Sequence, residues 1–162
     1  MLFINETVIN LLTTIFIGDL NIGDVVSMRN YYGGYVVAKD SDDKAGYRCR
    51  YVGDKALWTI EDKTSTKIKL KNNENNDCLI QSNSKLKTGS CSSSKSWWKI
   101  NQLMYGDEDI GSSIRKKYFK LVNDESGKCM KARNDHDCNA DELSLDNNCN
   151  WVEGLFHFTI LD

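Results

Sequence analysis

The densest run of side chains able to do chemistry lies between Asp135 and Asp146. Asp135, Asp137, Asn139, Asp141 and Asp146 stand at positions 1, 3, 5, 7 and 12 of a calcium-loop spacing, which would gather hard oxygen ligands around one cation. That pattern needs glycine at position 6 and a bidentate glutamate at position 12, where this chain has Ala140 and Asp146. The run therefore reads as a solvated acidic loop. His136 and Cys138 within it are two soft ligands, short of the set of four that closes a structural zinc site. No metal or cofactor is expected.

Catalytic constellations are equally sparse. The only histidines are His136 and His157, and neither sits in a nucleophile elbow, a zincin helix or a phosphate loop. His157 alternates with Phe156 and Phe158, so its side chain is expected to face outward or to be hydrogen-bonded at a rim. A non-catalytic protein is the expectation. With 21 basic and 23 acidic residues interspersed and a net charge of −2, no electrostatic footprint favours nucleic acid or an anionic membrane. Residues 8–18 are mostly apolar, too short for the roughly 20 residues of a membrane span but long enough for a signal peptide. A signal over 1–18 is expected, although no Lys or Arg precedes the run; an extra strand or short helix packed on the domain is the alternative.

The elements that would position any site come from an internal threefold pattern. Val26-Ser27-Met28-Arg29-Asn30 leads through Tyr35 and Cys49 to Trp58-Thr59-Ile60, and Ile68-Lys69-Leu70-Lys71-Asn72 through Cys78 and Cys91 to Trp98-Lys99-Ile100. Phe119-Lys120-Leu121-Val122-Asn123 leads through Cys129 and Cys149 to Phe158-Thr159-Ile160. Each copy opens and closes with apolar residues alternating with polar ones, which is the period of a strand, and turn residues separate the strands. A copy of about 40 residues cannot bury its own apolar face, so the three must share a core. Three units of four short strands form a closed barrel with a hairpin cap, an all-β β-trefoil. The repeats are placed at about 22–62, 64–103 and 115–162, in one domain over 19–162. At 162 residues the chain can bury about 70% of its extended surface. Four Trp, seven Tyr and five Phe supply the bulk of a small core.

The run from Phe119 to Met130, with its Ser126-Gly127-Lys128 turn before Cys129, resembles the ricin B-type lectin domains, as do Cys78-Leu79, Cys91 and Trp98. The resemblance spans residues 20 to 162 and implies carbohydrate binding on a β-trefoil. The sugar-reading positions depart from that family. An Asp two residues after the first Cys is replaced by Val37, Ile80 and Lys131, and the Gln of the closing Gln-x-Trp by Ala56, Ser96 and Phe156. In the trefoil frame, the six cysteines are expected to pair as Cys78–Cys91 and Cys129–Cys149 within their repeats, leaving Cys49 for Cys138. Such a set belongs in an oxidising compartment.

A sugar site that survives these departures is expected in the first repeat, with Tyr47 as the aromatic platform, Asp40 as acceptor and Lys55 as donor. Asn150, directly after Cys149, is the candidate of the third repeat. The expectation is a secreted lectin-like protein whose partner is a carbohydrate or glycoprotein at a cell, spore-wall or host surface. The absence of Pro, with abundant Asn and Lys, matches the coding bias of AT-rich genomes such as those of parasitic protists and microsporidia. The alternative is a trefoil protein-binding module or protease inhibitor that presents the loops 106–115 and 134–148.

Overall fold

In the computed structural model, residues 18–39, 44–102, 118–132, 143–149 and 152–161 are described. Their strands follow the apolar alternation. In β5 (Lys67–Asn72) Ile68 and Leu70 point inward while Lys67, Lys69 and Lys71 stay outside, and in β9 (Phe119–Asn123) Phe119 and Leu121 do the same. The others are β1 (Val25–Asn30), β2 (Tyr35–Ala38), β3 (Ala45–Arg48), β4 (Leu57–Lys63), β6 (Cys78–Ser82), β7 (Lys85–Gly89), β8 (Trp98–Gln102), β10 (Cys129–Ala132), β11 (Leu143–Asp146) and β12 (Phe156–Leu161).

Six of these strands close a ring: β1 pairs with β4, β4 with β5, β5 with β8, β8 with β9, β9 with β12, and β12 with β1. The ring leaves no strand edge open to another chain. The hairpins β2–β3, β6–β7 and β10–β11 form the cap, joined to one another by the pairing of Ser144 with Lys85 and the bridge of Lys44 with Lys87. This arrangement is a β-trefoil. Trp58, Trp98, Phe119, Phe156, Met28, Ile60 and Leu70 fill its core without exposed surface. The two tryptophans donate their indole N–H to the carbonyls of Val36 and Leu79, each at 2.9 Å, so burial leaves neither unpaired.

Each opening strand ends on a buried asparagine that clasps the unit before it. Asn30 Nδ2 donates to the carbonyls of Glu153 and Leu155, Asn72 Nδ2 to those of Lys55 and Leu57, and Asn123 Nδ2 to that of Lys95. Their Oδ1 atoms accept from the turn that follows, from Tyr32, Glu74 and Glu125 respectively. Three backbone bonds run in parallel, from the amides of Tyr31, Asn73 and Asp124 to the carbonyls of Leu155, Leu57 and Trp97. These bonds define equivalent positions around the pseudo-threefold axis.

On that basis the closing strand of the third unit is shifted by two residues from the sequence expectation. Val26 faces Trp58, Ile68 faces Trp98 and Phe119 faces Phe156, so Phe156 and not Phe158 takes the tryptophan place, and Ile160 is left 43% exposed. Gly154, not Phe156, then stands where Ala56 and Ser96 stand. A Cβ on Gly154 would lie 2.6 Å from Cys149 Cβ, which is why this position has no side chain.

The disulfides Cys78–Cys91 and Cys129–Cys149 tie the start of a cap hairpin to the segment after it, with Cα separations of 4.9 and 6.2 Å. Cys49 is also disulfide-bonded, and Cys138, the partner expected for it, lies outside the described residues. Leu143–Asp146, counted in the sequence as part of a loop, instead forms β11 against β10. The segment 106–115, residues 134–142 and residues 1–17 lie outside the described residues. Among the described residues no helix is long and apolar enough to cross a membrane.

Candidate functional site

Of the residues expected to read sugar in the first repeat, Tyr47 and Lys55 are described. Tyr47 is fully buried in the cap, where a Cβ on Gly34 would overlap its ring, so its face is closed to a ligand and the platform role is withdrawn. Lys55 is half-buried in the 3-10 turn Gly53–Ala56, where its carbonyl accepts from Asn72. Asp40 and Asn150 lie outside the described residues. At the positions where the lectin family keeps an Asp, Val37 is buried and Lys131 pairs with Asp146 at 3.5 Å. Among the described residues no three His, Cys, Asp or Glu gather to hold a metal; Asp135, Asp137, Asn139 and Asp141 lie outside them.

The three seams between units offer an internal comparison. At the β4–β5 seam, Thr59 donates its hydroxyl to Asn73 at 2.6 Å. The equivalent residues at the β8–β9 seam are Lys99 and Asp124, an ion pair at 3.3 Å, with Lys67 reaching the same carboxylate at 2.7 Å. Lys67 and Lys69 also lie over the Trp97 ring, 5.3 and 4.7 Å from its centroid. Hydrogen bonds from Lys67 foremost, and from Lys99, hold the Asp124 carboxyl below its ordinary range. Both seams are closed by local polar pairs.

The β12–β1 seam is different. Its equivalents of Lys99, Asp124 and Lys67 are His157, Tyr31 and Tyr118. The rings of Tyr118 and His157 meet edge to face at 5.1 Å, Tyr31 and Tyr118 at 5.6 Å, and Tyr31 and Tyr32 at 6.0 Å. Arg29 stands directly opposite His157 across the strand pair, with its guanidinium 4.7 Å from the centroid of Tyr35, and Tyr35 meets Tyr51 at 5.9 Å. The result is a belt of aromatic rings interrupted by one cation. Tyr31 is 38% and Tyr51 52% exposed, so the belt opens to solvent.

Burial, and after it the neighbouring Arg29, holds the His157 pKa below its ordinary value, and its buried Nδ1 has no hydrogen-bond partner. Under Tyr32 lies Glu153, 8% exposed, with Oε2 unpaired. Burial first, then Glu153 and Tyr31, push the Tyr32 phenol up. No paired acid and base face each other here. What the belt offers is ring faces and phenol and guanidinium donors.

Sequence reasoning did not find this belt, yet a signal was present. After the clasping asparagine, two units continue with Asn73-Glu74 and Asp124-Glu125, and the first with Tyr31-Tyr32. Aromatic residues at turn positions that are polar elsewhere in the same chain mark the departure.

The ring and its cap define the chain as a β-trefoil protein. No protein-family model matches it, and no curated protein matches it by sequence. Among solved structures it is similar to the BEL β-trefoil, with a TM-score of 0.69 and 14% identity over 87% of this chain and 95% of that one. It is similar to SeviL bound to the asialo-GM1 saccharide, with a TM-score of 0.64 and 12% identity over 86% of this chain and 98% of that one. A salivary protein of Culex quiquefasciatus from the Cysteine and Tryptophan-Rich family gives 0.62 and 15%, over 86% and 96%. At these identities the likeness is one of fold.

Proposed function

We propose that this chain is a secreted, non-catalytic carbohydrate-binding protein acting at a cell or host surface, and that it binds through the aromatic belt of the β12–β1 seam. The observation behind this reading is the contrast among the three seams. Two equivalent positions in the same molecule are closed by Thr59–Asn73 and by Lys99–Asp124, so the fold does not require aromatic rings there. Exposing Tyr31 and Tyr51 to water has no benefit for the core, whereas an exposed phenol ring covers the apolar face of a sugar and its hydroxyl hydrogen-bonds the rim. Lys55, four residues after Tyr51, remains the proposed donor of the first unit. A trefoil solved with the saccharide of asialo-GM1 bound supports carbohydrate as the ligand class, by analogy of fold.

Secretion is supported by the disulfides Cys78–Cys91 and Cys129–Cys149, which persist in oxidising compartments. A glycan array with the full chain, beside Tyr31→Ala and Tyr51→Ala, tests the reading. Binding that is weakened in both variants is expected. An empty array with folded protein would retire carbohydrate and point to a protein partner for the same rings.

A further inference from the structure

Arg29 is the one feature of the belt that a neutral sugar does not explain. Its Nε donates to the Gly33 carbonyl at 3.0 Å and its plane rests on Tyr35, so the fork is held in place, while its two terminal nitrogens bond no described residue. The equivalent residue of the second unit, Lys71, is paired with Glu61 at 2.5 Å, and that of the third is the uncharged Val122. Arg29 makes no such pair among the described residues, although it is half-buried and next to His157. A partly desolvated guanidinium that is fixed in direction and lacks a carboxylate is arranged to receive one from outside. The buried acid of the cluster, Glu153, acts on Tyr32 and forms no ion pair with Arg29.

We infer that the ligand is an acidic saccharide, whose carboxylate or sulfate is taken by the Arg29 fork while the adjoining Tyr31 and Tyr118 rings cover the sugar. The inference rests on the carbohydrate reading above and narrows its ligand class. Arg29 lies between Tyr35 and Tyr51 on one side and His157, Tyr118 and Tyr31 on the other, so a charged sugar unit bound at Arg29 has rings on both flanks.

The test is an NMR titration of the full chain with glucuronate, glucose and sodium sulfate in separate arms, following the His157 imidazole and tyrosine ring resonances. Glucuronate is expected to bind roughly threefold to tenfold more tightly than glucose, the range between an exposed ion pair and a charge-assisted fork. It should also raise the His157 pKa, since the bound anion offsets the field of Arg29. Arg29→Gln should remove the preference for glucuronate over glucose, and Arg29→Lys should keep part of it. Equal affinities for glucuronate and glucose, or a preference that persists in Arg29→Gln, would overturn the inference and spare the carbohydrate reading. Sulfate acting as strongly as glucuronate would overturn it in favour of a bare anion site. If neither sugar moves these resonances, the inference falls, and the carbohydrate reading is decided by the glycan array.

Discussion

Asn72, the last residue of β5, donates from Nδ2 to the carbonyl of Lys55 in the preceding unit at 2.9 Å, while its Oδ1 accepts from the amides of Glu74 and Asn75 at 3.0 and 3.4 Å. One fully buried side chain thus closes a turn and fastens two units at once. Asn30 and Asn123 do the same at the other seams. The seams between units therefore owe their register to asparagine, and their outer faces are free to differ.

Replacing Asn72 by Ala takes these bonds from the partly buried Lys55 and Leu57 carbonyls and from the turn amides, at a cost of about 1–3 kcal/mol for each group that water does not reach. We expect a total of at least about 3 kcal/mol, which for a domain of this size lowers Tm by about 6–12 °C. Asn72→Asp should be nearly as damaging, because a carboxylate cannot donate to Lys55. A thermal melt showing a loss below about 1 kcal/mol in either variant would contradict the clasp.

Tyr47 and Tyr31 should separate stability from binding. Tyr47 is fully buried, so Tyr47→Ala opens a cavity in the cap and should cost about 3–5 kcal/mol in denaturant unfolding. Tyr31→Ala removes a partly exposed ring and should cost under about 1 kcal/mol while weakening glycan binding. The reverse order of stabilities would place Tyr47 outside the core.

The Cys149 corner should tolerate little. In Gly154→Ala the new methyl would lie 2.6 Å from Cys149 Cβ and 2.8 Å from its carbonyl oxygen, both closer than packed atoms approach. We expect a loss of about 1–3 kcal/mol from the forced shift. Removing the Cys78–Cys91 disulfide as a double Ser variant should cost about 3 kcal/mol through the freed 13-residue loop, with the fold retained. Unchanged urea midpoints would refute either estimate.

His157 sets a pH dependence of known sign. Its folded-state pKa lies below the ordinary value of 6.5, because burial, with Arg29 second, disfavours the charged ring. As pH falls below about 6.5 the unfolded chain takes up this proton before the folded one does, so stability is full above that point and declines below it. His157→Gln should flatten the decline between pH 6.5 and the folded-state value in denaturant titrations. An unchanged slope would mean that His157 titrates normally.

The β-trefoil was legible because its strands announce themselves locally. Ile68 and Leu70, or Phe119 and Leu121, alternate with polar neighbours at the period of a strand, and the asparagines mark where each opening strand stops. The third closing strand was misplaced by two residues because Phe156, Phe158 and Ile160 alternate, so both registers look apolar. Tyr47 was misread because a strand aromatic near a cysteine looks the same whether it faces in or out. What sends it inward is the missing side chain of Gly34, which lies across the hairpin turn and not beside it in sequence. The belt was invisible for a similar reason: Arg29, Tyr31, Tyr118 and His157 meet only when the last strand pairs with the first.

The central claim is that the β12–β1 belt binds carbohydrate, and its most direct measurement is a glycan array comparing the full chain with Tyr31→Ala and Tyr47→Phe. The account predicts binding that is lost or reduced at least about tenfold in Tyr31→Ala and kept in Tyr47→Phe, whose ring still fills the cap. Glycan binding unchanged by Tyr31→Ala, in a variant that melts like the parent, would place the site elsewhere and contradict it.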